Sequence, residues 1–188
     1  ASDVYKRQAL NWNVGAHLAF AGLTWDDVVK VPVSGFAASF DAIINGQSEE
    51  VVIIGAHHDT VYQGQGAVDD SSGTASVMEI GRQLSEVVNQ SGTPERTIHF
   101  CTWGGEEEGL YGSRAYVAAN QNFLRDNLRL YINLDMNHVD ADANRGNSVS
   151  LFTNNRDDYG HIERIKELYE SAYPDMAERY DIRMSLLD

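Results

Sequence analysis

The sequence predicts an α/β fold built on a mainly parallel sheet, and three observations lead to it. Val51–Ala56 is a continuous apolar, β-branched run, typical of a strand that is buried on both faces. Directly after it, apolar residues recur at helical spacing between Ser72 and Asn89. Strand-like and helix-like segments then alternate along the rest of the chain, which is the pattern of a parallel sheet.

The other elements follow from local patterns. Val28–Val33 and Ala37–Ile44 are predicted as antiparallel edge strands, with a turn between them. Ser71 or Ser72 can cap the first helix. The remaining predictions are strands at Arg96–Trp103, Leu128–Met136, Ser148–Thr153 and Tyr180–Leu187, one or two helices in Leu110–Asn127, a helix at Asp157–Ala172 closed by Pro174, and a polar loop at Asn137–Asn147.

Composition limits the classes of protein to consider. A length of 188 residues with 43% hydrophobic residues predicts one domain with a sizeable core. The net charge of −14 disfavours binding to nucleic acids or anionic membranes, and no apolar run approaches the roughly 18–20 residues that a membrane span needs. Cys101 is the single cysteine, so no intrachain disulfide forms, and its apolar neighbours predict a buried, inert thiol.

The first residues differ from the rest of the chain. Ser2–Gln8 resembles the translated end of a transposon adaptor used to prepare sequencing libraries. We interpret residues 1–8 as a scar from library preparation or cloning and residues 9–188 as a single domain. The alternative is an ordinary polar terminus. If the scar is real, the chain is an assembled fragment, and any signal peptide lies outside it.

Four clusters of acidic residues or histidine follow predicted strands. Because the carboxyl ends of parallel strands share one edge of a sheet, these clusters can converge. In the first cluster, two-residue alternation points His57 and Asp59 to one side and His58 away from it. His57 can bind a metal while Asp59 accepts the other ring N–H. Taken alone, a histidine at a strand end is more often structural, and His58 is interpreted so.

The three later clusters supply carboxylates. Asp69 follows a Gly-rich loop and can bridge two cations, although capping of the next helix is the alternative for Asp69 and Asp70. Of Glu106 and Glu107, one can bind metal while its neighbour takes a proton from water, and complementing a helix dipole is the competing role. Asp135 closes an apolar strand and needs a metal or an arginine as partner. Together the clusters predict a two-metal hydrolase site.

Four segments also carry a family resemblance. GAHHDT, GAVDDSSG, TWGGEEEGLYGS and NLDMN, in this order, closely resemble the co-catalytic zinc aminopeptidases of the bacterial leucyl aminopeptidase and aminopeptidase Y type, in metallopeptidase clan MH. The resemblance covers roughly residues 38 to 187. It implies a mixed, mainly parallel sheet sandwiched between helices, two Zn²⁺ ions, and removal of N-terminal residues from peptides with a free N-terminus. It also favours a secreted or periplasmic location.

The resemblance implies a role for each site residue. Matched by motif, these are His57 and Asp135 as ligands of one zinc, Glu107 as a ligand of the other, Asp69 as the bridge, Glu106 as the general base and Asp59 as the carboxylate that orients His57. The family often has a cis peptide at the position of Asp69–Asp70. Glu108 falls at a variable position and receives no role.

One feature departs from the family pattern. The family's last ligand is a histidine in a downstream segment, and this chain stops at Asp188 before reaching it. His138 and His161 are badly placed to replace it and are expected to face solvent, and neither His17 nor His99 has motif support. We therefore expect this chain, as a peptidase domain truncated at its C-terminus, to bind one metal better than two and to be nearly inactive.

Three alternative functions remain open from the sequence. A carboxypeptidase or dipeptidase of the same fold would need a cationic pocket for the substrate carboxylate, and no arginine is well placed for it. A glutaminyl cyclase resembles this fold but uses a single zinc without the first histidine, so His57 weighs against it. A non-catalytic interaction domain typically loses ligands, whereas the four motifs here are intact. The preferred N-terminal residue, the oligomeric state and the identity of the metal are not predicted.

Overall fold

The computed structural model describes residues 28–31, 39–137, 148–178 and 181–186. The chain divides into two compact units, residues 1–136 and 137–188, and each is described by itself. Several predictions fall outside the described residues: the scar at residues 1–8, His17, His138 and most of the loop at 137–147. That residues 9–188 form one peptidase domain stays a prediction.

The first unit is organised by a sheet whose central strands are parallel. Its described strands are β1 (Val28–Val31), β2 (Ser39–Ile44), β3 (Val51–His57), β4 (Thr97–Trp103) and β5 (Leu128–Asn133). They lie in the order β1-β2-β4-β3-β5. Strand β3 pairs in parallel with β4 and β5, whereas β2 pairs antiparallel with β1 and β4. The predicted mixed sheet with antiparallel strands at one edge is confirmed.

Helices cover both faces of this sheet because β3 is apolar on both sides. Helix α1 (Ser71–Ser91) contributes Val77 to the core on one face, where it joins Ile54 and Phe100. Helices α2 (Tyr111–Ala119) and α3 (Gln121–Asn127) contribute Tyr116 and Leu124 to the core on the other face. The predicted sandwich of a sheet between helices is therefore present in this unit.

The second unit pairs two parallel strands, β6 (Ser148–Thr153) and β7 (Asp181–Leu186). Between them lie a short 3₁₀ turn, helix α4 (Tyr159–Ala172) and helix α5 (Pro174–Ala177). Helix α4 packs on both strands and buries Ile162. Among the described residues, no helix is long and apolar enough to cross a membrane.

One predicted strand end is wrong, and two predicted helix ends are defined more closely by the structure. Strand β5 ends at Asn133 and not at Met136, so Asp135 lies beyond the strand in the following segment. Of the capping residues that the sequence offers, Asp70 is the cap of α1, because its side chain accepts the N–H of Gly73. Pro174 begins helix α5 as well as ending α4, since its missing N–H costs nothing in a first turn.

Candidate metal centre

His57 is the point at which the predicted clusters meet. It is the last residue of β3 and only 2% exposed. Its Nε2 lies 2.9 Å from Asp69 Oδ1 and 3.9 Å from both Glu106 Oε2 and Asp135 Oδ1. Because β3, β4 and β5 are parallel, their carboxyl ends deliver these segments to one edge of the sheet. Three carboxylates therefore surround one ring nitrogen.

The other ring nitrogen of His57 is held by the main chain. Nδ1 lies 3.1 Å from the carbonyl oxygen of Asp59, which can accept its N–H. In the neutral ring this hydrogen bond leaves Nε2 unprotonated and free to bind a cation. The sequence predicts the Asp59 carboxylate as the acceptor, whereas that carboxylate lies 3.6 Å away, beyond a good hydrogen bond. Asp59 thus orients the ring through its carbonyl group.

The Asp59 carboxylate instead fixes the loop that carries the glutamates. Its two oxygens accept the main-chain N–H groups of Glu106, at 3.1 Å, and Glu107, at 3.2 Å. The side chain of Glu107 in turn accepts the N–H of Val61, at 3.2 Å. These contacts tie the loop after β4 to the loop after β3. Sequence reasoning missed this role, because the partners are 47 and 48 residues apart.

Asp70 ties together three segments of the site. It is 1% exposed, and its Oδ1 accepts the N–H groups of Gly73 at 2.8 Å and Met136 at 3.1 Å. Its Oδ2 accepts the N–H of His57 at 3.2 Å. The end of β3, the first turn of α1 and the residue after Asp135 are therefore fixed to one buried carboxylate. The peptide bond between Asp69 and Asp70 is cis.

The electrostatics of the site reflect an excess of negative charge. Burial lowers the pKa of His57, but the charges of Asp70, Glu106 and other nearby carboxylates outweigh it and raise that pKa overall. Burial raises the pKa of Glu106, and repulsion from Asp135 and Glu107 adds to it, although His57 opposes the change. A cation placed among these groups would relieve the repulsion.

The donor atoms fit a divalent metal. His57, Asp69 and Glu107 form one group whose ligand atoms lie within 4.8 Å of one another, and His57, Asp70 and Asp135 form a second. Imidazole nitrogen and carboxylate oxygen are ordinary ligands of Zn²⁺. The oxygens of Asp70 already accept three N–H groups, which leaves Asp135 as the freer carboxylate of the second group. Glu108 and His161 are exposed and take no part in either group.

Comparison with known proteins agrees with this geometry. The model of peptidase family M28 matches residues 41–180, which is well over half of the chain. The chain belongs to peptidase family M28. All four motif segments lie inside the matched range. The resemblance to zinc aminopeptidases that the motifs predict is therefore confirmed at the level of the family.

The relatives carry more than one kind of name. A probable glutamate carboxypeptidase of Arabidopsis thaliana is 40% identical over 95 residues, covering 50% of this chain and 14% of that protein. Aminopeptidase Y of Saccharomyces cerevisiae is 30% identical over 131 residues, covering 69% of this chain and 22% of that protein. The matched part of the chain spans between 11% and 23% of the length of these curated relatives.

A solved structure supports the fold class. BSAP, a zinc aminopeptidase from Bacillus subtilis, superposes with a TM-score of 0.58 at 25% sequence identity. The match covers 79% of this chain and 34% of BSAP. The mixed α/β architecture of this M28 chain is thus shared with a zinc aminopeptidase.

Proposed function

We propose that this chain carries the catalytic centre of a zinc-dependent aminopeptidase that removes N-terminal residues from peptides. In this proposal His57 and Asp135 would hold one zinc, Glu107 would hold the other, and Asp69 would serve as a ligand of both. Glu106 is the general base. The observation that supports the proposal most is the convergence of Asp69, Glu106 and Asp135 within 4 Å of Nε2 of a buried histidine.

The chemistry divides between the metal ions and Glu106. When bound, zinc supplies a lowered pKa for water and polarisation of the scissile carbonyl. Glu106 takes the proton from the attacking water and delivers it to the leaving amine, so the same carboxyl group acts as base and then as acid. Its position suits this exchange, because burial beside other carboxylates raises its pKa toward the range in which a carboxyl group both accepts and returns a proton. Asp59 keeps Glu106 in place through the main-chain hydrogen bond.

The charge of the site favours an N-terminal over a C-terminal substrate end. Asp59 and Asp70 add two carboxylates that hold no zinc in this proposal, so the site keeps negative charge, which favours the free α-ammonium group of a peptide. A carboxypeptidase needs a cationic side chain that binds the substrate carboxylate. Two arginines next to the sheet already form ion pairs elsewhere. Arg96 and Arg129 both bind Glu50, at 2.7 Å each, next to the amino end of β3 and away from His57.

A carboxypeptidase is the second candidate, because the Arabidopsis thaliana relative is named a probable glutamate carboxypeptidase. The substrates of both candidates are peptides. We also propose a secreted or periplasmic location, which rests on the resemblance to the aminopeptidases.

Activity assays on the full-length gene product separate the candidates. We expect the zinc-loaded protein to hydrolyse an aminoacyl anilide and to leave an N-acylated peptide with C-terminal glutamate intact. Glu106→Gln should abolish turnover while zinc content, measured by mass spectrometry, stays unchanged. Glu108→Gln is the matched control, since the neighbouring glutamate is exposed and outside the donor groups, and it should keep full activity. Release of glutamate from the acylated peptide, without anilide hydrolysis, would decide for the carboxypeptidase. Loss of zinc in Glu106→Gln would show that Glu106 is a zinc ligand rather than the general base.

A further inference from the structure

A second cluster of possible metal ligands lies inside the sheet, apart from the His57 centre. Asp41 is on β2, and His99 and Cys101 are two residues apart on β4. Asp41 and Cys101 are direct partners across the antiparallel pair, so their side chains share one face. All three residues are buried, with exposed fractions of 4%, 9% and 0%.

The contacts within this cluster leave one carboxylate oxygen without a hydrogen bond of good geometry. His99 Nδ1 lies 2.7 Å from Asp41 Oδ2, and the hydroxyl of Tyr116 lies 3.2 Å from the same nitrogen. Asp41 Oδ1 is buried and accepts no hydrogen bond of good geometry from the described residues, although the Cys101 thiol and the Tyr116 hydroxyl both interact with the Asp41 carboxylate. A buried carboxylate oxygen that is left unpaired costs free energy, so it normally has a hydrogen-bond donor or a cation beside it.

We propose that Asp41, His99 and Cys101 bind a metal ion of the Zn²⁺ type in a buried site that is distinct from the His57 centre. One ligand atom from each residue lies within 4.8 Å of the other two. Oxygen, nitrogen and sulfur together suit a borderline-soft cation such as Zn²⁺ rather than Mg²⁺ or Ca²⁺. The ion would give Asp41 Oδ1 a close partner and would link β2 to β4 beneath α2.

The thiol distinguishes this site from the His57 centre. The His57 donor groups contain only imidazole and carboxylates, and Cys101 is the single cysteine of the chain. A cysteine binds a metal ion as the thiolate and not as the thiol. Binding therefore displaces the thiol proton to solvent. A signal from metal-bound thiolate can come from this cluster and from no other place in the chain.

Cobalt substitution tests the proposal. Because Cys101 is fully buried, the 188-residue chain is refolded with excess Co²⁺ rather than titrated after folding. We expect a near-ultraviolet thiolate-to-cobalt charge-transfer band that saturates at one ion per chain. Refolded protein with native circular dichroism, visible cobalt bands and no charge-transfer band would overturn the proposal and make the cluster a hydrogen-bonded network only.

Variants locate the band and separate this test from the proposed peptidase function. Cys101→Ser should lose the band completely and His99→Gln should weaken cobalt affinity at this site at least tenfold. Thr102→Val is the matched control, because Thr102 is buried on the opposite face of β4, and it should keep the band. Asp135→Asn changes the His57 centre alone and should also keep it. Loss of the band in Asp135→Asn, with Cys101 intact, would contradict two independent sites.

Discussion

Gly73 and Gly81 are both buried glycines of α1, and they should respond to alanine in opposite ways. A Cβ on Gly73 would collide with the carbonyl oxygen of Leu134 and with both carboxylate oxygens of Asp70. These atoms are fixed, since one belongs to the main chain and the others hold three N–H groups. A Cβ on Gly81 would meet the ring of Phe100 at 3.5 Å, which is ordinary van der Waals contact.

The magnitudes follow from these surroundings. Overpacking costs about 1–3 kcal/mol, and moving Asp70 would weaken up to three buried hydrogen bonds at about 1 kcal/mol each. We therefore expect Gly73→Ala to lower the free energy of unfolding by about 3–5 kcal/mol. Gly81→Ala should raise it by about 0.5–1 kcal/mol, because alanine is the better residue inside a helix.

Urea unfolding of the metal-free protein, followed by circular dichroism, measures both variants against the wild type. The two midpoints should move in opposite directions with unchanged slopes. The Leu134 carbonyl leads into Asp135, so Gly73→Ala should also weaken zinc binding, whereas Gly81→Ala should not. A Gly73→Ala protein as stable as the wild type would refute the close approach of α1 to the segment after β5.

Three further outcomes follow from the contacts of the first unit. Asp70→Ala should destabilise the metal-free protein by about 3 kcal/mol in urea unfolding, because three buried N–H groups lose their acceptor. Asp70→Asn should destabilise it less. Equal losses of stability in the two variants would contradict the role of Asp70 as an acceptor. Glu106→Gln should raise the melting temperature of the metal-free protein at pH 7. The pKa of Glu106 is higher in the folded than in the unfolded protein, so the wild type loses stability as the pH rises from the ordinary glutamate pKa through the raised value. The gain in melting temperature from Glu106→Gln should therefore vanish at lower pH, where the wild-type carboxyl group is protonated in both states. Glu50→Gln should lower stability slightly, since Glu50 forms ion pairs with Arg96 and Arg129. The loss of stability should shrink at high salt, and a loss that did not shrink would show that these exposed ion pairs are not its cause.

The central elements of the first unit could be predicted because their patterns are local. The apolar run of β3 and the helical spacing of α1 each lie within one segment, and the structure reproduces both to within two residues. The end of β5 could not be predicted, since Leu134 and Met136 continue an apolar pattern. In the structure Met136 adopts a positive φ of 50° and donates its N–H to Asp70 rather than to a neighbouring strand.

The candidate site could be predicted to converge, but its supporting contacts could not. Parallel strands bring their carboxyl ends together, so the meeting of His57 with Asp69, Glu106 and Asp135 follows from the order of the strands. The acceptor roles of Asp59 and Asp70 depend on main-chain N–H groups up to 66 residues away in sequence. No local sequence pattern predicts these long-range hydrogen bonds.

The Asp41–His99 contact is a similar case. It joins residues 58 apart, and it exists because the antiparallel register of β2 and β4 sets Asp41 opposite Cys101. A shift of one residue in that register would send Asp41 to the other face of the sheet. The sequence predicts a buried Cys101, which the structure confirms, but it indicates neither of the side chains that surround the thiol.

Anomalous diffraction at the zinc edge, from crystals of the zinc-loaded protein, tests the central claim most directly. We expect a peak within about 2.0–2.2 Å of both His57 Nε2 and an oxygen of Asp69, the distances of zinc to nitrogen and oxygen ligands. The Asp135 carboxylate should complete this set, and the peak should disappear in His57→Ala. Zinc bound to the protein without a peak at His57 would contradict the assignment of this edge of the sheet as the metal centre.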